Sequence, residues 1–234
     1  MVPIDAYTRH RRKVRAFHLG AIFALVLLVA HLLDMPAHAL VLAGEDQEAA
    51  KRKVERTEWY HVLRQGGGLW AWMGIAIVVA LCPPRTASPG PGERRHGVEF
   101  AFRIVVATAA AGLLAEIFKR IFVRERPGEV GDWYSFQPWL EGVIHGKNLG
   151  LPSSHAAVAF AGATVLAAML PRAAPVFWVW AAGCGVSRMM TGAHWLSDVA
   201  LGAMIGIGVG LFFRPEPEWE TRRQSWIEGG GNGA

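Results

Sequence analysis

The stretch SRMMTGAHWLSDVALGAMIGIGVGLFF, residues 187–213, decides how the rest of the chain is read. From Trp195 to Phe213 its only charge is Asp198, and everything else is apolar, Gly or Ser. A membrane-spanning helix needs about 20 mostly apolar residues, because each adds about 1.5 Å across a hydrocarbon layer of about 30 Å. This run meets that length and lacks the two-residue alternation of a β-barrel strand. Gly202, Gly206, Gly208 and Gly210 suit close helix packing in lipid, as does Gly162 further upstream. The residues just before the run are of another kind: Ser187, Arg188 and His194 place polar chemistry at the entrance of a spanning helix.

Outward from this stretch, five more apolar segments approach the same length, at 17–33, 66–82, 98–118, 155–170 and 174–190. Together they predict an all-α, polytopic membrane helical bundle with about six transmembrane helices. One membrane domain then fills 17–213, between a basic cytoplasmic N-terminus at 1–16 and a cytoplasmic tail at 214–234 whose Gly-rich end reads as disordered. Composition agrees. Hydrophobic residues make up 52% and charged residues 18% of the chain, whereas ordinary globular chains carry about 25% charge. That balance excludes disorder, the absence of a three-residue Gly period excludes collagen, and two cysteines exclude a disulfide scaffold. Cys82 and Cys184, both in apolar stretches, read as buried small hydrophobes.

The connection 34–65 is charge-mixed and predicts an amphipathic surface helix. The first apolar segment also resembles a cleavable signal peptide, with a basic run at 9–15 and Ala37-His38-Ala39 behind it, but it is longer than the usual apolar core of about 7–15 residues. Lys and Arg counts on the two sides nearly balance, so orientation rests on the five basic residues before the first helix, which predict an N-terminus inside.

Three polar clusters interrupt the apolar pattern, and the six-span layout puts all three on one side. The first runs from Lys119 to Pro127. Lys119 and Arg126 are two turns apart and share a face while the helix lasts, and Pro127 marks the exit. Two fixed cations suit a phosphate, although a basic belt at lipid headgroups has the same composition. The second, Pro152-Ser153-Ser154-His155, precedes the fourth apolar helix, whose N-terminus offers free N–H groups; an ordinary Ser cap reads the same way. In the third, His194 and Asp198 are four apart, on one face of the starting helix, so the carboxylate can orient the imidazole and leave its other nitrogen free to attack. A capping Asp beside a structural His is the alternative. Glu116, three residues before Lys119, predicts an ion pair that positions the lysine, and Arg103 is expected to snorkel to the cytoplasmic edge. Trp133, Tyr134, Phe136 and Trp139 suit an interfacial lip or belt.

These clusters match three spaced motifs: K-x6-RP at 119–127, PSGH at 152–155, and SR-x5-H-x3-D at 187–198. The chain therefore resembles the type 2 phosphatidic acid phosphatase superfamily, in its integral membrane branch. Ser154 stands where that pattern has Gly, and Leu151 where an aromatic often precedes the Pro. The resemblance implies a two-step hydrolysis of a lipid phosphate through a phosphohistidine. It casts His194 as nucleophile, Asp198 as its orienting acid and His155 as proton donor and then base. Lys119, Arg126, Arg188, Ser153 and Ser154 are implied as phosphate-binding. It implies no cofactor, no metal and no nucleic-acid partner; the partners are the lipid phosphate and the bilayer. The site would face the periplasm from a bacterial inner membrane. Phosphatidate, phosphatidylglycerol phosphate, polyprenyl diphosphate and lipid A phosphates all fit as substrates. The alternatives are a phosphotransferase with the same intermediate, a transporter or lipid-binding protein whose charges mark a path, and a zinc hydrolase with His155, His194 and Asp198 as ligands.

Overall fold

The computed structural model describes residues 4–42, 46–83, 93–128 and 135–215. They form α1 (Ile4–Leu32), α2 (Asp34–Leu42), α3 (Gln47–Glu55), α4 (Glu58–Gln65), α5 (Leu69–Leu81), α6 (Glu93–Phe122), α7 (Trp139–His145), α8 (Ser154–Met169), α9 (Ala174–Met190) and α10 (Leu196–Phe213). Among the described residues the β-type pairing consists of two isolated bridges, Arg124 with Phe136 and Glu125 with Leu149.

α8 is the axis of the bundle, and its alanines explain why. Ala156, Ala157, Ala159, Ala161 and Ala163 are all fully buried, so α6, α9 and α10 approach it from three sides. α6 meets it with Ala107, Ala111 and Ala115, four apart and therefore on one face. α10 meets it with Gly202, Gly206 and Gly210. A methyl group on Gly202 or Gly206 would run into the Ser153 or Ala157 carbonyl, and one on Gly210 into Thr164. Lipid tails are as apolar as leucine, so such small-residue seams hold helices together by close van der Waals contact. Gly208, expected in the same role, faces open space instead. Trp72 of α5 fills the remaining gap; it is buried against Gly162 and donates through Nε1 to the Gly66 carbonyl at 2.7 Å.

Gly206→Leu is expected to force α8 and α10 apart, at a cost of at least about 1–3 kcal/mol for an overpacked contact. Thermal unfolding in detergent should show a clear drop in midpoint, while Gly208→Leu, which enters open space, should leave it near wild type.

The outward faces are apolar, with Phe17, Trp70, Phe102 and Phe212 among the large exposed side chains. The protein is an integral membrane protein whose hydrocarbon-facing surface needs no polar cover. The six expected spans correspond one to one with α1, α5, α6, α8, α9 and α10, but the count of six is only approximate. α6 over His96–Phe122 and α10 are long and apolar enough to cross alone. Two bent pairs, Gly20–Leu32 with Asp34–Val41 at 53° and Glu58–Gln65 with Leu69–Leu81 at 68°, raise the number to four if each pair is one span. α8 has 16 residues, a rise of about 24 Å, which is short of the hydrocarbon thickness.

Other expectations need amendment. The basic run at 9–15 and the first span lie on one continuous helix, α1, from Ile4. Cys184 is buried as expected, but Cys82, at the end of α5, is exposed. The connection 34–65 contains α2, α3 and α4 rather than one amphipathic helix; the buried faces of the last two carry Ala50, Val54 and Tyr60. Ala37-His38-Ala39 lies inside α2. Trp133, Tyr134, most of the Pro- and Gly-rich loop after Pro83, and the tail beyond residue 215 lie outside the described residues.

Candidate active site

All three polar clusters meet at one end of the bundle, because α6 and α9 end there and α8 and α10 begin there. Direct hydrogen bonds join them. Ser153 N donates to the Asp198 carbonyl at 2.9 Å, Gly150 N donates to the Arg124 carbonyl at 2.8 Å, and Lys119 Nζ donates to Ser154 Oγ at 3.0 Å.

Lys119 occupies the last turn of α6, buried, with Nζ 2.6 Å from Glu116 Oε1, the ion pair that the spacing predicts. Its second partner is the Ser154 hydroxyl, at the position where the motif has Gly. Arg126 reaches the site differently from expectation. The helix stops at Phe122, and Val123, at φ 48°, turns the chain sharply. Arg126 therefore lies beyond the helix, in a segment fixed by Arg126 N to the Asn148 carbonyl at 3.1 Å and Arg126 Nε to the Leu149 carbonyl at 3.3 Å. Ser153 is fully buried and caps α8, its hydroxyl accepting from Ala156 N at 3.4 Å. Arg188, in the last turn of α9, is buried; one terminal nitrogen donates to Tyr60 Oη at 3.1 Å, while its Nε has no hydrogen-bond partner.

His194 is 2% exposed and sits in the loop before α10, not on the helix with Asp198 as the four-residue spacing suggests. Its Nδ1 is 3.6 Å from Asp198 Oδ2, an ion-pair separation rather than a hydrogen bond. Burial, followed by the positive charges of Arg188, Lys119 and Arg126, holds its pKa well below the usual histidine range; a hydrogen bond with the Gly150 backbone opposes this. The imidazole is therefore neutral at physiological pH and keeps the lone pair that a nucleophile requires. His155, in the first turn of α8, lies within electrostatic reach of Arg188, His194 and Lys119.

Asp198 is fully buried in the first turn of α10. Its Oδ2 accepts from Trp195 N at 3.0 Å, and its Oδ1 accepts from the Arg124 guanidinium at 3.0 Å. Gly150 passes so close that a methyl group there would stand 2.7 Å from Oδ2.

Arg124 and Asp34 were not legible in the sequence as site residues. Arg124, 1% exposed, also donates to Ser197 Oγ at 2.6 Å and to Asp34 Oδ2 at 2.8 Å, and its guanidinium lies 5.5 Å from the Trp195 ring centroid. Asp34 is fully buried and accepts from Ser197 N at 2.8 Å. Arg124 occupies an unspecified position of the K-x6-RP spacing, where no motif signal exists. Asp34 did leave a signal, since a carboxylate at the end of an apolar span is costly unless paired. At the opposite end of the bundle, Arg103 pairs with Glu99 at 2.7 Å and donates to the Phe213 carbonyl at 3.3 Å, closing the C-terminus of α10. Of the aromatic lip, Phe136 and Trp139 are exposed, and Trp139 Nε1 donates to the Ile121 carbonyl at 3.2 Å.

Among the described residues no group of three His, Cys, Asp or Glu side chains converges as a metal-ligand set. The trio of His155, His194 and Asp198 is not such a group, and the Asp198 oxygens are held by Arg124 and the Trp195 amide, with Oδ2 3.6 Å from His194 Nδ1.

The family model of the PAP2 superfamily matches residues 100–222, just over half of the chain, and so spans every motif residue above. Over 98 residues the chain is 35% identical to the lipid A 1-phosphatases of Rhizobium etli and Rhizobium johnstonii. The match covers 41% of this chain and 41% and 39% of those two proteins, so the chain spans well under half the length of the curated relatives it matches. The crystal structure of Aquifex aeolicus LpxE has the same fold, with a TM-score of 0.53 at 19% identity, covering 77% of this chain and 94% of that one.

Proposed function

The chain belongs to the PAP2 superfamily, and from that premise we propose that it is a lipid phosphatase that works without a metal, through a phosphohistidine. The observation that carries this reading is a buried His194 whose Nδ1 lies 3.6 Å from Asp198 Oδ2, with Arg188, Lys119, Arg126 and His155 within electrostatic reach. Nδ1 faces Asp198, which leaves Nε2 to attack phosphorus. Positive charge develops on the imidazole as the N–P bond forms, and Asp198 stabilises it. His155 protonates the departing oxygen, then takes a proton from the water that hydrolyses the intermediate. Lys119, Arg126, Arg188 and the backbone N–H groups at the start of α8 hold the equatorial oxygens, the work a metal does elsewhere. Ser154 Oγ, held by Lys119, adds a contact that Gly cannot make, while Ser153 contributes mainly by capping that helix.

The substrate combines a phosphate head with a tail in the bilayer, because the site lies at one end of a lipid-facing bundle. Lipid A bearing a 1-phosphate is the first compound to try, given the relatives. The end carrying the site faces the periplasm if the basic start of α1 stays inside.

Purified protein in detergent is expected to release phosphate from at least one of phosphatidate, phosphatidylglycerol phosphate, a polyprenyl diphosphate and lipid A 1-phosphate. Activity should persist in EDTA and fall with vanadate, which adopts the five-coordinate geometry of phosphoryl transfer. Loss of activity in EDTA with recovery on adding zinc would refute the phosphohistidine route.

A further inference from the structure

The cavity between α3, α4 and the loops carrying Arg126 and His194 holds more positive charge than one phosphate uses. It has a volume of about 260 Å³. Arg126 and Arg188, both assigned above to the transferred phosphate, line it on one side. Arg64 and Lys51, which have no part in that chemistry, line it as well. The acids in its wall, Glu48 and Glu55, do not neutralise Arg64. Glu48 is shared between Lys51 at 4.0 Å and Arg52 at 3.8 Å, and among the described residues Arg64 makes no side-chain hydrogen bond or ion pair.

Two features place Arg64 beside the reacting groups. The bend between α4 and α5 runs directly against His155: a methyl group on Gly67 would stand 2.5 Å from His155 Cβ, and Gly67 N donates to the Arg64 carbonyl at 3.0 Å. Tyr60, one turn before Arg64 on the same face of α4, holds Arg188, whose buried Nε remains unpartnered. The cavity wall is also fixed in place. Gln47, at the start of α3, donates to the Pro127 carbonyl at 3.1 Å and the Gly192 carbonyl at 3.5 Å, across both site loops. Gly128 (φ 84°) and Gly192 (φ 64°) lie against it, and a side chain at either would collide with Gln47.

We propose that Arg64, supported by Lys51, forms a second anion subsite that takes a second phosphate of the same lipid headgroup, on the leaving-group side of the phosphate attacked by His194. The inference rests on the phosphatase reading above. If the two phosphates share an anhydride, His194 bonds to the terminal phosphorus and the bridging P–O bond breaks. The electron pair leaves with the lipid monophosphate, which takes its proton from His155, and the phosphoryl group then passes to water. Arg64 neutralises charge developing on that leaving phosphate and so acts in kcat. If the second phosphate is attached elsewhere on the headgroup, the same contact acts in KM.

The test compares kcat/KM of the full-length, detergent-purified protein for a lipid monophosphate, the matching diphosphate, and a lipid carrying two separate phosphates. Wild type should prefer a substrate with the second phosphate, and Arg64→Gln should reduce that preference about 10- to 100-fold, the size expected for a lost charge-assisted contact. Arg64→Lys should keep part of it. Pyrophosphate should inhibit wild type more strongly than phosphate, and Arg64→Gln should erase most of the difference. A preference within twofold of wild type in Arg64→Gln overturns the subsite, as does a wild type that favours the monophosphate; both leave the phosphatase standing. Release from none of the three lipids overturns both.

Discussion

Purified His194→Ala protein is expected to release phosphate at least about 10³-fold more slowly than wild type, because removing a nucleophile disables partners that act with it as a unit. The fold should survive. His194 sits in a loop, and the bonds that order this region, Ser153 N to the Asp198 carbonyl and Trp195 N to Asp198 Oδ2, do not use its side chain. The pH profile adds a second check. Burial and three cations hold the His194 pKa well below the usual histidine range. Protonation of the free nucleophile then costs activity only at pH values well under about 6.5. A wild-type rate in a folded His194→Ala protein would sink the assignment. An acid limb near pH 6.5 in the wild-type profile would count against a site that holds the imidazole neutral.

Arg124→Gln should cost more stability than any other single change in the site. Arg124 is the cation shared by two fully buried carboxylates, Asp34 and Asp198. Breaking a buried pair from one side typically costs about 3–5 kcal/mol, because the carboxylates left behind lose the guanidinium that balances their charge away from water. The unfolding midpoint in detergent should fall sharply. Adding Asp34→Asn should restore part of the lost stability, a favourable coupling of about 0.5–3 kcal/mol in a double-mutant cycle. Activity should not return with it, since Asp198 still lacks the guanidinium that fixes its Oδ1. A midpoint unchanged in Arg124→Gln would mean that the network carries no net stability, and full activity in the double variant would remove Arg124 as a positioning residue for Asp198.

The same network marks the boundary of what could be read from the chain alone. Apolar runs of spanning length predicted the helices, since hydrocarbon offers no partner for a backbone polar group and only helices or closed barrels satisfy that demand. The stripe of Gly202, Gly206 and Gly210 was legible for a related reason, as small residues in a spanning helix mark close contact. Gly208 was not separable from them, because a glycine looks the same whether its missing Cβ faces a neighbour or open space. Lys119 with Glu116 was legible because a three-residue spacing on a helix fixes which side chains meet. Arg126 was assigned its place by the same rule and reaches the site by another route, because Val123 ends the helix first.

The sequence by itself therefore determined an all-helical membrane protein and the chemical types gathered at one of its ends, because hydrophobic length and motif spacing are local properties of a chain. Tertiary structure alone decided that Asp34, 90 residues from Arg124, is held by it, that Tyr60 and Gln47 brace the loops of the site, and that His194 meets Asp198 from a loop. The physical reason is burial. A charge removed from water must find a partner wherever packing brings one, and that meeting depends on which helix ends converge, which residue spacing does not encode.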